Sequence, residues 1–268
     1  MSSGVTAILQ AYARPHTLRQ QYKAIMSQTV KPDEVWLIQN CYDPSPWIDL
    51  QLANNCVSII SNHNFGVWYR FAAALMAKTK YVCIFDDDTI PGPKWFENCI
   101  QCNEKQKGLY GTIGVLFGSE KGYGADDSVY GTGDQRVGWD VPNEKTMKVD
   151  IVGHSWFFEK DLLHYFWREA PDLQEFKCAG EDIHFSHMLQ KHAGLGTYVP
   201  PHPFNDRDLW GSLPDTAASY GGDSVATANF AIPNMTNYLR HCVEDGFEIV
   251  NKDTYREGKS LSKKERWD

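Results

Sequence analysis

The sequence predicts an α/β fold, a three-layer sandwich with a largely parallel central sheet. Three observations predict it. Short apolar runs alternate with helical stretches through the first half of the chain. Proline and glycine turns punctuate them. The fourth apolar run, Tyr81 to Phe85, leads directly into the carboxylates Asp86, Asp87 and Asp88. Strands alternating with helices imply right-handed crossovers and parallel neighbours. Open sheets of this kind hold ligands beyond the carboxyl ends of their strands, where these three carboxylates fall.

Taken in order, Val5 to Tyr12 is the first expected strand and Leu18 to Thr29 the first helix, opened by Pro15, His16 and Thr17. Pro32 introduces a second strand, Glu34 to Gln39, and Val57 to Ser61 is the third. After the turn NHNFG, a helix is expected from Trp68 to Lys78, then the strand Tyr81 to Phe85, then a helix from Lys94. Gly108 to Phe117 holds a strand and its turn. Gly118 to Asn143, rich in glycine and aspartate, is expected to be a long surface excursion that orders over substrate. Lys148 to Val152 returns to strand, Phe158 to Trp167 to helix, and EDIHFSHMLQKH to a helix that starts near Gly180 and ends at Gly194 or Gly196. From Pro200 the chain is mostly loop, a candidate lid or acceptor rim. One domain over 1–268 is expected, with halves at 1–117 and 118–250 and a polar tail at 251–268.

Bulk composition removes several function classes. With 34 acidic against 26 basic residues the formal net charge is -8, which disfavours nucleic acid and anionic membrane as partners. The 7 cysteines are odd in number and scattered, a reduced and structural set. No secretory leader or transmembrane stretch is evident, so a soluble cytoplasmic protein is expected. P-loop, G-x-G-x-x-G, GxSxG and HExxH strings are absent. His184, His187 and His192 lie close together in sequence but lack the zinc-protease pattern.

Two strings carry the chemistry. In FDDDT, three adjacent carboxylates repel one another, and a hard divalent cation relieves that repulsion, which suits a ligand bearing phosphates. The plain alternative is an acidic turn after a buried strand. In CAGEDIHFSH, Glu181 and Asp182 open a helix, where a carboxylate is able to take a proton from an attacking hydroxyl. The alternative there is helix capping, because acidic groups stabilise helix N-termini.

At these strings, with NFGVWYRFAAALMAKTKYVCI before the first and PGPKWFE after it, the chain resembles nucleotide-sugar-dependent glycosyltransferases of the GT-A fold. The likeness is to the family 2-like group, with some similarity to exostosin-like transferases, and it spans Val5 to about His192. The resemblance implies a GT-A-like, Rossmann-like sandwich. It also implies a metal-dependent transferase that uses Mn2+ or Mg2+ and a nucleoside-diphosphate sugar, UDP first, on an oligosaccharide or glycoconjugate acceptor. Inversion is the implied outcome, while the exostosin-like similarity points to retention. A noncatalytic carbohydrate-binding protein on the same scaffold is the alternative.

By the same resemblance Asp88 and Asp86 are cation ligands, Asp87 a nucleotide contact, Asp182 the base and Glu181 its neighbouring carboxylate. Arg14, Gln39 and Asn40 are expected at the rim for base or ribose, and Arg70 on phosphate or holding the pocket carboxylates. Asn62 and Asn64 are candidate nucleotide contacts. Gly153, His154 and Trp156 are expected beside the sugar or acceptor, His202 in the cation shell and Arg207 on phosphate. Solvation, turn formation or core packing accounts equally for several of these positions.

Overall fold

The computed structural model describes residues 2–12, 14–40, 50–118, 120, 134–138, 141–172, 175–176, 179–213 and 231–250. Its sheet is built on strict two-residue alternation. In the strand Thr79–Phe85 (β4), Val82 and Ile84 enter one core, while Tyr81, Cys83 and Phe85 enter another on the opposite face. Ser2–Gln10 (β1) divides the same way, Ile8 against Val5, Ala7 and Leu9, and so does Glu34–Asn40 (β2), Trp36 and Ile38 against Val35 and Leu37. Both faces are buried, so helices must cover both, which gives three layers. Helices Leu18–Met26 (α1) and Trp95–Lys105 (α4) cover one face through Leu18, Ile25, Phe96 and Cys99. The short Leu50–Ala53 (α2) adds Leu52 to the same core.

On the other face lie Tyr69–Ala74 (α3), Leu163–Phe166 (α5), Glu181–Ala193 (α6) and Ala231–Glu244 (α7). Their shared core is aromatic. Fully buried Phe71 stacks on Phe166 at 4.7 Å and meets Trp156 and Phe185 edge-on at 5.9 and 5.8 Å.

The described strands form a 9-stranded sheet. From one edge it runs Val57–Ser61 (β3), β2, β1, β4, Ile151–Glu159 (β8), Gly108–Leu116 (β5), Gly196–Val199 (β9) and Met147–Val149 (β7). Gln135–Gly138 (β6) also pairs with β5. The strands β3, β2, β1 and β4 are mutually parallel, as expected. Beyond β4 the expectation of a largely parallel sheet is corrected. Antiparallel β8 separates β4 from β5, and only β5 with β9 is parallel among the remaining pairs, so the sheet is mixed.

The helix expected over Phe158 to Trp167 is corrected for a related reason. Phe157 and Phe158 belong to β8, and the α-helix is limited to Leu163–Phe166 after a tight turn at Lys160–Leu162. A strand buried on both sides is a continuous apolar run, which periodicity does not separate from a buried helix. Only the pairing of Phe157 with Cys83 and Tyr110 decides it.

Smaller differences follow. The helix expected to Lys78 stops at Ala74, and Lys148 to Val152 is two strands broken at Asp150. Within the expected excursion, β6 is paired and Asn143 bridges to His202, while 119, 121–133 and 139–140 lie outside the described residues. The start of the expected lid, Pro200 to Leu213, is fastened down. Asn98 donates to the carbonyls of Pro201 and Leu209, and Leu213 N–H donates to Ile90. The remainder of that loop, 214–230, and the tail 251–268 lie outside the described residues. Among the described residues no helix is long and apolar enough to cross a membrane.

Candidate active site

The order β3-β2-β1-β4 places a topological switch point between β1 and β4, because the chain leaves β1 towards one edge and returns on its other side. Arg14 follows β1, and Asp86 to Asp88 follow β4. The two meet. Buried Arg14 donates its backbone N–H to Asp87 Oδ2 at 3.0 Å and its guanidinium to Asp87 Oδ1 at 2.7 Å, and lies 3.4 Å from Asp88 Oδ2. The repulsion expected among three carboxylates is thus partly answered by a cation of the chain itself.

Arg70, from the first turn of α3, joins the two sequence strings. Its guanidinium donates to Asp86 Oδ1 and to Glu181 Oε1, each at 2.5 Å, and lies over the Trp156 ring at 4.1 Å. Burial opposes its charge, but the Asp86 and Glu181 carboxylates outweigh that and hold Arg70 more firmly protonated. Asp86 is the accessible member of the cluster, its side chain 32% exposed against 9% for Asp88.

Asp88 is different. Burial, and next the neighbouring carboxylates, push its acidity weaker, opposed by His154 and Arg14, and its Oδ1 is buried with no hydrogen-bond partner. An orphaned carboxylate oxygen at the switch point fits a hard cation. Among the described residues no three His, Cys, Asp or Glu side chains gather to enclose a metal by themselves. That set suits Mg2+ or Mn2+ held by one or two carboxylates, with substrate phosphates and water completing the shell.

Glu181 and Asp182 form the first turn of α6. Gly180 precedes them at φ 104°, in the left-handed region, and a Cβ there would lie 2.8 Å from Tyr238 Cγ. Glycine is required on both counts. Gly180→Ala is expected to cost about 1–3 kcal/mol in denaturant unfolding and to lower any transfer activity by displacing this turn. Asp182 is partly buried, and its Oδ1 accepts the Ile183 N–H at 2.8 Å, so local capping is also present. Burial, and next the charge of Glu181, raise its pKa to about 8. Burial raises Glu181 as well, against the pull of Arg70. A carboxylate poised near neutrality is suited to proton transfer.

The other expected contacts divide. Asn40 and Asn64 organise the NHNFG turn: Asn40 accepts the Phe65 N–H and donates to the Gly66 carbonyl, and Asn64 accepts the Gly66 N–H. Gln39 is half-buried at the end of β2 and Asn62 is exposed. Gly153 faces open space, nothing lying within 4 Å of where a Cβ would be. His154 acts electrostatically on Asp88. Trp156 is buried in the core beneath Arg70 rather than displayed to a sugar.

His202 is fully buried, with one ring nitrogen on the Pro200 carbonyl and the other accepting the Gly211 N–H. Among the described residues it packs on Trp95 and Trp210, where Arg207 also lies. His184, His187 and His192 are engaged separately, by Phe166 and Tyr238, Asp245, and Glu169 respectively.

The sequence marks Thr17 only as part of a helix start and Thr89 only as part of an acidic turn, and it does not mark Gln21. All three hold the acidic turn through bonds to backbone carbonyls, which leave no motif.

A family model for glycosyl transferase family 2 matches residues 6–165, which spans the parallel strands, the acidic turn and β8. The chain belongs to glycosyl transferase family 2. Among solved structures, this family 2 member is similar in fold to S. aureus TarS 1-349 in complex with UDP, with TM-score 0.51 and 16% identity over 75% of this chain and 58% of that one. TarS 1-349 in complex with UDP-GlcNAc gives TM-score 0.49 and 15% identity over 78% and 60%. The chain thus spans less than two thirds of the TarS structures it matches. No curated protein matches it in sequence.

Proposed function

We propose that this family 2 member is a metal-dependent glycosyltransferase that moves a sugar from a nucleoside-diphosphate sugar to a hydroxyl of an oligosaccharide or glycoconjugate, with inversion at the anomeric carbon. The observation that carries this is the Arg70 bridge. One buried guanidinium ties Asp86 in the acidic turn after β4 to Glu181 in the acidic first turn of α6, which supports a cation site and a proton acceptor acting as one unit. UDP is the carrier of choice, supported by the UDP in the similarly folded TarS 1-349 complex. Residues 1–117 form the donor half and 118–250 the acceptor half.

In the reaction Asp182 takes the proton of the acceptor hydroxyl as its oxygen bonds to the anomeric carbon. The bond from that carbon to the diphosphate oxygen breaks, and the nucleoside diphosphate leaves with the electron pair. Burial, and next the neighbouring charge of Glu181, keep Asp182 basic. Arg14 engages Asp87 through its backbone N–H and its guanidinium, and Arg70 fixes Asp86. When bound, Mn2+ or Mg2+ neutralises charge developing on the leaving diphosphate, and Asp88 with Asp86 would hold it.

The test is a panel of UDP-, GDP- and dTDP-sugars with Mn2+ and glycan acceptors, followed by nucleoside-diphosphate release and the stereochemistry of the product. Acceptor-dependent release with inversion supports the proposal. Saturable glycan binding without turnover on any donor overturns it in favour of a noncatalytic carbohydrate-binding protein. Asp88→Ala is expected to abolish metal-dependent donor binding by calorimetry. Its thermal midpoint should be unchanged or higher, because burial of that carboxylate opposes its charge.

A further inference from the structure

The acidic turn is held at both ends by the same two residues. From α1, the amide of fully buried Gln21 donates to the carbonyl oxygens of Asp86 and Thr89, both at 2.7 Å. From within β8, the carbonyl of His154 accepts the Asp86 N–H at 2.9 Å and the Thr89 hydroxyl at 2.8 Å. One residue supplies two donors and the other a doubly used acceptor, and Asp88 is enclosed between their contact points. His154 reaches this position at φ 63°, the one positive φ outside glycine among the described residues. Such a conformation costs of order 1 kcal/mol and persists only where surrounding contacts impose it.

Gln21 carries a cost of its own. Its Oε1 is buried without a hydrogen-bond partner, in a helix that presents Leu18 and Ile25 to the same core. An apolar side chain would fill this position without that cost. What the amide adds is its pair of donors to the turn.

We infer that Gln21 and His154 are positioning residues that set the placement of the Asp86 and Asp88 carboxylates for a divalent cation. Gln21 acts through its two amide bonds, and His154 through its carbonyl. The inference rests on the proposed role of those carboxylates. Partners of metal ligands tune affinity by fixing ligand orientation, and their loss typically weakens binding about 10–100-fold.

The experiment uses the full chain with Gln21→Met, which keeps the side-chain length without the donors, and Thr89→Val, which removes one bond to His154. Mn2+ is titrated in the presence of UDP and free Mn2+ is followed by electron paramagnetic resonance, beside thermal midpoints and UDP affinity without metal. Gln21→Met is expected to weaken Mn2+ binding about 10–100-fold and Thr89→Val by a smaller factor, with metal-free UDP affinity unchanged in both. A lowered midpoint with wild-type Mn2+ affinity marks a purely structural role and overturns the inference. Should Gln21→Met not fold, wild-type Mn2+ affinity in Thr89→Val overturns it alone. A wild-type chain with no Mn2+-dependent UDP binding overturns the functional proposal itself, and this inference with it.

Discussion

Asp182→Asn is expected to lower kcat for sugar transfer by about 10²–10⁴-fold, the usual contribution of a positioned base, while donor affinity stays unchanged. Single-turnover transfer and calorimetric donor binding separate the two effects. In the wild type, kcat/KM should rise with pH up to about 8, where Asp182 gives up its proton in the free protein, and the variant should lack that limb.

A stability signature accompanies it. The folded pKa is about 8, above the roughly 3.9 of an unfolded aspartate, so the folded state holds this proton over a range where the unfolded chain has lost it. This contribution is fully present below about pH 4 and is lost as pH rises through 8. Thermal midpoints measured from pH 4 to 8 should therefore fall less steeply for Asp182→Asn than for the wild type. Equal slopes would show that Asp182 titrates normally.

Arg70→Met is expected to destabilise the fold by about 3–5 kcal/mol, because it leaves Glu181 and Asp86 without the charge that compensates them in a largely buried setting. For a chain of this size that corresponds to a fall in thermal midpoint of roughly 10 °C. The loss should shrink in acid, where protonated carboxyls no longer need the guanidinium. Arg70→Lys keeps a charge but not the fork that spans two carboxylates, so an intermediate loss is expected. Donor binding and transfer should both decline in Arg70→Met even well below its midpoint, since the guanidinium pairs with both acidic turns.

These expectations draw unequally on sequence and structure. FDDDT was legible because three adjacent carboxylates after an apolar run form an unusual local pattern, and GEDIHF because an acidic pair opens a helical period. The contacts that organise them were not. Gln21 and Asp86 are 65 positions apart, and Arg70 and Glu181 are 111 apart. Nothing in either segment marks a partner at such distance. Trp156 shows the converse failure: an aromatic beside a glycine suits a sugar contact in sequence, but strand alternation turns it into the core, where it carries Arg70. His202 likewise has the composition of a ligand, yet its neighbours take both ring nitrogens.

By itself the sequence determined the order of the four strands through Phe85 and the two acidic strings, all of which depend on residues a few positions apart; the short helix Leu50–Ala53 between β2 and β3 was not among its elements. The tertiary structure alone decided the direction of β8, the strand character of Phe157 and Phe158, and the pairing of Arg14 and Arg70 with the two strings. Strand direction and ion pairing are set by which segments become neighbours. Periodicity reports only which side of an element is buried, so it carries no information about the identity of the neighbour.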